Sequence, residues 1–311
     1  MGKPRSDILD YLVYRGFRLF QMFMHMFPVT WSYVTFRLMA DVVWRFNRKH
    51  RRRAIEHVKR SFPDWPEEKC RRVAKASIRS FFYLGLESLF SPRLVRPETW
   101  HHYVRLEDPE PYLRAMLERR SAVTFVTGHY GNFEMLAYTM SVVGFPFYAV
   151  ARALDNRYLD SYLRRVRHAS GLTILDKKGV SERADAILAG RDALGWVADQ
   201  DAGRKGLFVD FFGRAASTYK AIALFAMRYD TPIIVGHAVR MDRKYHFKIQ
   251  IHRIIEPADW KDRADPLRWI TQEYTHELEQ AVREHPEQYM WAHRRWKHRP
   301  KGEPESPDGI A

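Results

Sequence analysis

From about Val104 onward the chain alternates short apolar runs with amphipathic stretches, and this pattern restricts the fold more than any other feature. Apolar runs fall at 122–127, 147–151, 172–175, 194–198, 208–212, 233–240 and 247–255. Helical spacing of apolar residues fills the intervals at 109–119, 132–143, 157–169, 181–189 and 218–229, and again at 266–284. Short apolar runs joined by helical crossovers pair in parallel, because a parallel neighbour needs a connection of a dozen or more residues. The pattern therefore predicts an α/β fold: a mixed, largely parallel sheet flanked by helices, with an antiparallel end. Upstream, to about Ser91, the periodicity is helical, as in Val73, Ala76, Ile78, Phe81, Phe82, Leu84, Leu86 and Leu89, behind a turn at Ser61-Phe-Pro-Asp-Trp-Pro66. The expected organisation is a helical region at 1–91, an α/β domain at 92–300 and a polar tail at 301–311 without fixed structure.

The N-terminal region has a second unusual property. Leu19 to Phe36 contains no Asp, Glu, Lys or Arg, and it is split by Pro28 and bracketed by Arg18, Arg37 and Arg45. It is short for a spanning helix. Two aromatic-rich helices broken at Pro28 and lying in a membrane interface fit it, as does a buried helical hairpin. Arg48-Lys-His-Arg-Arg-Arg53 follows on a helix running to Arg60. It suits anionic lipid, nucleic acid or a solvated face, and the adjacent aromatic helices favour lipid. The first ten residues lack the apolar core of a signal peptide.

Composition narrows the partners. There are 52 Lys+Arg against 37 Asp+Glu in 311 residues, a net charge of +15, which calls for an anionic partner. Apolar residues at 46% exclude global disorder. Cys70 is the single cysteine, which excludes an intramolecular disulfide and cysteine-cluster metal sites.

Four segments carry candidate chemistry. Thr127-Gly-His-Tyr-Gly-Asn-Phe-Glu134 stands at a strand–turn–helix junction, where open α/β sheets bind ligands. His-x4-acid spacing recurs at His102/Glu107, His237/Asp242 and His298/Glu303. Only His129/Glu134 has the strand, the glycines and the helix around it. There Glu134 could hold one imidazole nitrogen and leave the other as a general base, with helix N-terminal amides near an oxyanion. Asp199, in Ala198-Asp-Gln-Asp-Ala-Gly-Arg-Lys-Gly206, lies at another strand end. Its readings are substrate positioning, support of the base, or a turn; metal binding with Asp201 lacks a further ligand set. Arg214, Ser217 and Thr218 precede a helix, as an anion site or a plain N-cap. Trp291-Ala-His-Arg-Arg-Trp-Lys-His-Arg-Pro300 interleaves Trp with basic residues, as a phosphate-binding segment or a solvated tail.

Taken together these segments resemble the late lipid A acyltransferases of the lauroyl/myristoyl type, within the lysophospholipid acyltransferase superfamily. GHYGNFE resembles that family's His-x4-acid motif. Ala151-Arg-Ala-Leu-Asp-Asn156 with Arg167-His-Ala-Ser-Gly171 is similar to its second block, ADQDAGRKGLFVDFFGRAAST to its third, and WAHRRWKHRP to its closing motif. The resemblance implies a fatty acyl group moving from an acyl-thioester, acyl-acyl carrier protein or acyl-CoA, to a hydroxyl of an anionic membrane glycolipid such as a lipid A precursor. In that reading His129 is the general base, Glu134 orients it, and no acyl-enzyme forms. Arg152, Asn156, Arg167, Asp199, Gln200, Arg204, Arg214, Ser217, Thr218, Arg294 and Lys297 bind substrate. No cofactor and no metal is called for, and nucleic acid is not a partner. The resemblance implies the cytoplasmic face of a bacterial inner membrane, with peripheral or monotopic attachment through the N-terminal helices. A coenzyme-A-dependent acyltransferase on another glycolipid or lysophospholipid is the alternative within the class. A non-catalytic basic lipid-binding protein is the alternative outside it.

Overall fold

The computed structural model describes residues 6–107, 122–176, 180–242 and 244–302. The helix expected at 109–119 and nearly all of the 301–311 tail lie outside the described residues. Four helices come first: α1 (Asp7–His25), α2 (Val29–Phe46), α3 (Arg48–Ser61) and α4 (Glu67–Leu94). Pro28 is the N-cap of α2, so the break falls where a residue without an N–H cannot continue α1. Asn47 ends α2 and caps α3, accepting from His50 N.

The strands are β1 (Val104–Leu106), β2 (Val123–Thr127), β3 (Phe147–Ala151), β4 (Thr173–Asp176), β5 (Ala193–Val197), β6 (Leu207–Asp210), β7 (Ala215–Thr218), β8 (Ile233–Arg240) and β9 (Phe247–Ile255). Between and after them run α5 (Phe133–Val142), α6 (Arg157–Ala169), α7 (Val180–Ala189), α8 (Ala221–Tyr229), α9 (Pro257–Trp260) and α10 (Pro266–Glu284). Seven strands form one sheet in the order β1-β9-β8-β2-β5-β3-β4. All neighbours are parallel except β8 and β9. The expected mixed, largely parallel sheet with an antiparallel end is thus what the chain forms.

Two local expectations are corrected. The apolar run at 208–212 is not one strand: β6 turns at Phe212 and Gly213, both with positive φ, into β7, and Asp210 Oδ1 accepts from Gly213 N to close the turn. Ser217 and Thr218 therefore belong to a hairpin strand, and the helix expected from 218 starts at Ala221. The three-residue β1 is too short to show periodicity in the sequence.

Residues of β2 alternate between the two faces of the sheet, and both faces are covered. Val123 and Phe125 join a core with Met135, Phe147 and Ile234, to which Met24, Tyr33, Phe36 and Leu86 of α1, α2 and α4 also contribute. Val126 joins a second core with Ile222 of α8 and Ile270, Tyr274 and Leu278 of α10. This is why the strands read as near-continuous apolar runs.

The chain leaves β2 toward β3 on one side, returns as β5 between them, and later fills β8 on the other side of β2. The loop after β2 is tightly held. Gly131 has φ +59, and a Cβ there would lie 2.0 Å from the Ala238 carbonyl oxygen. We expect Gly131→Ala to destabilise the fold by at least about 3 kcal/mol, since it combines backbone strain with a main-chain clash. A melting midpoint equal to wild type would refute that.

Candidate active site

Thr127 of β2 pairs with Val197 of β5 in register. His129 and Asp199 each stand two residues beyond, so the shared register brings them together at the carboxyl ends of the strands. Asp199 Oδ2 accepts from the His129 main-chain N–H at 2.8 Å, and Oδ1 lies 2.7 Å from His129 Nδ1. Gly128 permits this approach, because a Cβ on it would already touch the Asp199 carboxylate at 3.2 Å. Asp199 is 3% exposed. Burial by itself would raise its pKa, but the His129 charge and hydrogen bonds outweigh burial and hold the carboxyl well below the usual carboxylate range. On the other side of the ring, Gln200 Nε2 lies 3.1 Å from His129 Nε2. A carboxylate can only accept and an amide NH2 can only donate, so these partners assign the proton of the neutral imidazole to Nδ1 and the lone pair to Nε2.

Glu134, expected to hold the imidazole, is placed differently. It lies in the first turn of α5, and its two oxygens receive Arg167 Nη2 at 2.6 Å and Nε at 3.1 Å. The i+5 position on a helix that starts at Phe133 faces α6, whereas Asp199 comes from the adjacent strand. Asp199, and not Glu134, is thus the carboxylate on the His129 ring, and it is buried there.

The other expected site residues divide in two. Arg152 follows β3 at the same edge of the sheet and is 85% exposed. Arg204, Arg294 and Lys297 are also at the surface. The remainder are engaged by partners within the protein. Asn156 caps α6, accepting from Tyr158 N and Leu159 N, and donates to Asp10 O of α1. Arg214 stacks 3.6 Å over Trp296 and donates to Ser61 Oγ; burial and the neighbouring Arg60 and Arg299 lower its pKa to about 9. Ser217 donates to Gly203 O, and Thr218 Oγ1 donates to Ala216 O and receives Arg295 Nη2. Both are fully buried, in a hairpin strand and not at a helix start.

Two residues of the closing segment escaped the sequence reading. His293 stacks on His129 with centroids 5.6 Å apart and planes 7° from parallel; burial lowers its pKa. Arg295, 1% exposed, donates to Ser217 O at 2.6 Å. No spacing signal in this turn-rich segment separates 293 and 295 from their neighbours, and Trp296 is buried beside Arg295. Among the described residues no group of three or more His, Cys, Asp or Glu side chains is placed to hold a metal ion. Asp201 is engaged by His298 and Gly203.

A cavity of about 540 Å³ adjoins this site. Its apolar wall is Val43, Ile78, Phe81 and Phe82, and its basic side is His50, Arg53 and Arg294. It shares Ser77, Phe81 and Met290 with the small pocket that contains His129 and Phe133. The imidazole thus borders a small pocket next to this amphipathic cavity, which is lined by α2, α3, α4 and the closing segment.

An α/β sheet with a carboxylate-held imidazole at the carboxyl ends of its strands and an amphipathic cavity nearby describes a lipid-handling enzyme more readily than a passive binder. Residues 2–298 match the family described as bacterial lipid A biosynthesis acyltransferase, and the chain belongs to that family. It is an acyltransferase. It is similar to the lipid A biosynthesis lauroyltransferase of Escherichia coli (strain K12), with 24% identity over 273 residues, 86% of this chain and 85% of the relative. It is also similar to the palmitoleoyltransferase of the same organism, with 27% identity over 194 residues, 61% of this chain and 60% of the relative. A lipid A biosynthesis acyltransferase of Shigella flexneri matches over the same share.

Proposed function

We propose that this protein transfers a fatty acyl group from an acyl-acyl carrier protein to a hydroxyl of a lipid A precursor at a membrane surface, with His129 as general base. The observation that carries the mechanism is the Asp199–His129–Gln200 line. With its proton on Nδ1, the ring offers Nε2 to the acceptor O–H, and the substrate hydroxyl takes the position that the Gln200 amide holds in the free protein. The hydroxyl oxygen attacks the thioester carbonyl carbon while its proton passes to Nε2. Asp199 stabilises the imidazolium so formed. Collapse of the tetrahedral intermediate expels the thiolate, which takes the proton from Nε2. The apolar wall of the cavity suits an acyl chain. The Arg48, Lys49 and Arg52 side chains exposed on α3 beside its basic side suit an acidic carrier protein. Offering acyl-carrier-protein and coenzyme A thioesters at equal concentration tests the donor: a faster, salt-sensitive rate with the carrier protein supports the assignment, and a faster rate with coenzyme A overturns it.

The N-terminal helices favour membrane contact. Among the described residues no helix is long and apolar enough to cross a membrane. Yet α1 buries Asp10 and Gln21 beside Met24 while exposing Ile8, Leu9, Leu12, Val13, Leu19, Met22 and Phe23. On α2, Trp31, Val34, Leu38, Val42 and Phe46 are also exposed. An apolar face of this extent, flanked by arginines, suits seating in a head-group layer. We expect Phe23→Asp combined with Trp31→Asp to weaken sedimentation with anionic vesicles by at least about tenfold, with an unchanged melting midpoint because both side chains are exposed. Undiminished vesicle binding would contradict the attachment.

A further inference from the structure

We propose that Glu87 is a positioning residue for the His129 loop, joining that loop through Asn132 to the outward-facing helix α2 through Tyr33. The role in catalysis rests on the acyl-transfer reading above; the positioning itself does not. Glu87 lies on α4 with no solvent exposure, and a carboxylate so placed persists only with strong partners. Each oxygen takes two donors. Oε1 receives the Tyr33 hydroxyl at 2.7 Å and Arg240 Nε. Oε2 receives Asn132 Nδ2 at 2.7 Å and Arg240 Nη2 at 2.8 Å. Arg240 alone would neutralise the charge, so the two neutral donors add connection and not charge balance.

What they connect is specific. Asn132 follows His129 by three residues and uses both ends of its amide, Oδ1 capping α5 at Met135 N and Nδ2 anchoring to Glu87. Ser or Asp would cap as well, but neither could donate an amide N–H to Glu87, and Asp would set a second carboxylate against it. The same loop is held from the main chain by Gly131 N to Gln288 O, Asn132 N to Ala238 O, and Met290 N to His129 O. Gln288 in turn clasps the Arg240 backbone through both ends of its amide. Tyr33 brings in α2, whose opposite side exposes Trp31, Val34 and Leu38. Two hydrogen bonds, Tyr33 to Glu87 and Asn132 to Glu87, therefore span from the apolar face to the loop that carries the base. Seating of α2 on a membrane bears on where His129 sits.

Hydrogen exchange of the full chain, with and without anionic vesicles, tests this alongside transfer kinetics. Tyr33→Phe removes one donor and Asn132→Ser keeps the cap while losing the anchor. Each is expected to speed exchange of the amides at 128–135 by about tenfold, the value of one hydrogen bond to a charged group. Each is expected to lower kcat by a similar factor with KM unchanged. The double variant falls short of the product of the two, since both act through one carboxylate. Vesicles slow exchange of the loop in the wild type and not in Tyr33→Phe. Glu87→Gln strands the Arg240 charge and is the variant most prone to misfold, so the test rests on the two milder ones. Loop exchange equal to wild type in both, or an unaltered kcat in folded protein, overturns the proposal. Loop exchange that responds in a protein whose wild type transfers no acyl group upholds the positioning and removes the acyl-transfer reading instead.

Discussion

His129→Ala is expected to lower the rate of acyl transfer by about 10²–10⁴-fold, the contribution of a positioned general base. Binding to vesicles should be retained, because the exposed residues of α1 and α2 lie on other elements. Among the described residues no neighbour is placed to take over the proton. His293 is stacked parallel to His129 instead of lying beyond its Nε2, and Gln200 offers an amide, which is no base at neutral pH. The alanine also removes the ring N–H from a buried carboxylate and leaves Asp199 with the main-chain N–H of residue 129, so some loss of stability accompanies it. His129→Gln separates the two effects, since its amide can still donate toward Asp199. It should lose transfer as fully as the alanine variant while keeping more of the stability. Purified variants assayed under the same conditions, with melting curves beside them, measure both.

Asp199→Asn should cost about 10²-fold in kcat, because an amide no longer holds the Nδ1–H tautomer or stabilises the imidazolium that forms on proton transfer. Its stability should change with pH in a stated direction. The Asp199 carboxyl titrates below its unfolded value of about 4. Its contribution is therefore present above that pH and lost as pH falls toward the folded value. The asparagine variant should lack that part of the acid dependence in a denaturation series. Glu134→Gln makes the contrast. It weakens the pair with Arg167 on α6 and leaves the Asp199–His129 bond in place, so the ¹⁵N signals of the His129 ring should keep the Nδ1–H pattern in this variant and lose it in Asp199→Asn. A ring unaltered in Asp199→Asn and altered in Glu134→Gln would reverse the two roles.

Much of this arrangement was legible in the residues because it is local. The strand–turn–helix at 127–134 announces itself by an apolar run, two glycines and a helical pattern, and Pro28 marks the division of the N-terminal helices. What the residues hid is set by strand order. Glu134 stands five positions from His129, and sequence distance makes it the natural partner. Asp199 becomes the partner because β2 and β5 are neighbours in register, with Thr127 opposite Val197. Strand order in a parallel sheet follows from how crossovers pack, not from any single segment. Ser217 and Thr218 looked like a helix start because hydroxyls before an apolar run are good caps. The positive-φ turn at Phe212 and Gly213 makes them a strand instead. Arg214 offered a charge beside that expected cap, and the fold places it against Trp296.

The measurement that bears most directly on the central claim is a transfer assay with purified protein, a lipid A precursor in mixed micelles, and acyl-carrier-protein or coenzyme A thioesters, read by mass spectrometry of the lipid. The account predicts one added acyl group on the acceptor, formed together with free thiol from the donor, and absent with His129→Ala. Folded, vesicle-binding protein that leaves the acceptor unchanged with both donors, or that acylates it equally well without His129, would contradict it.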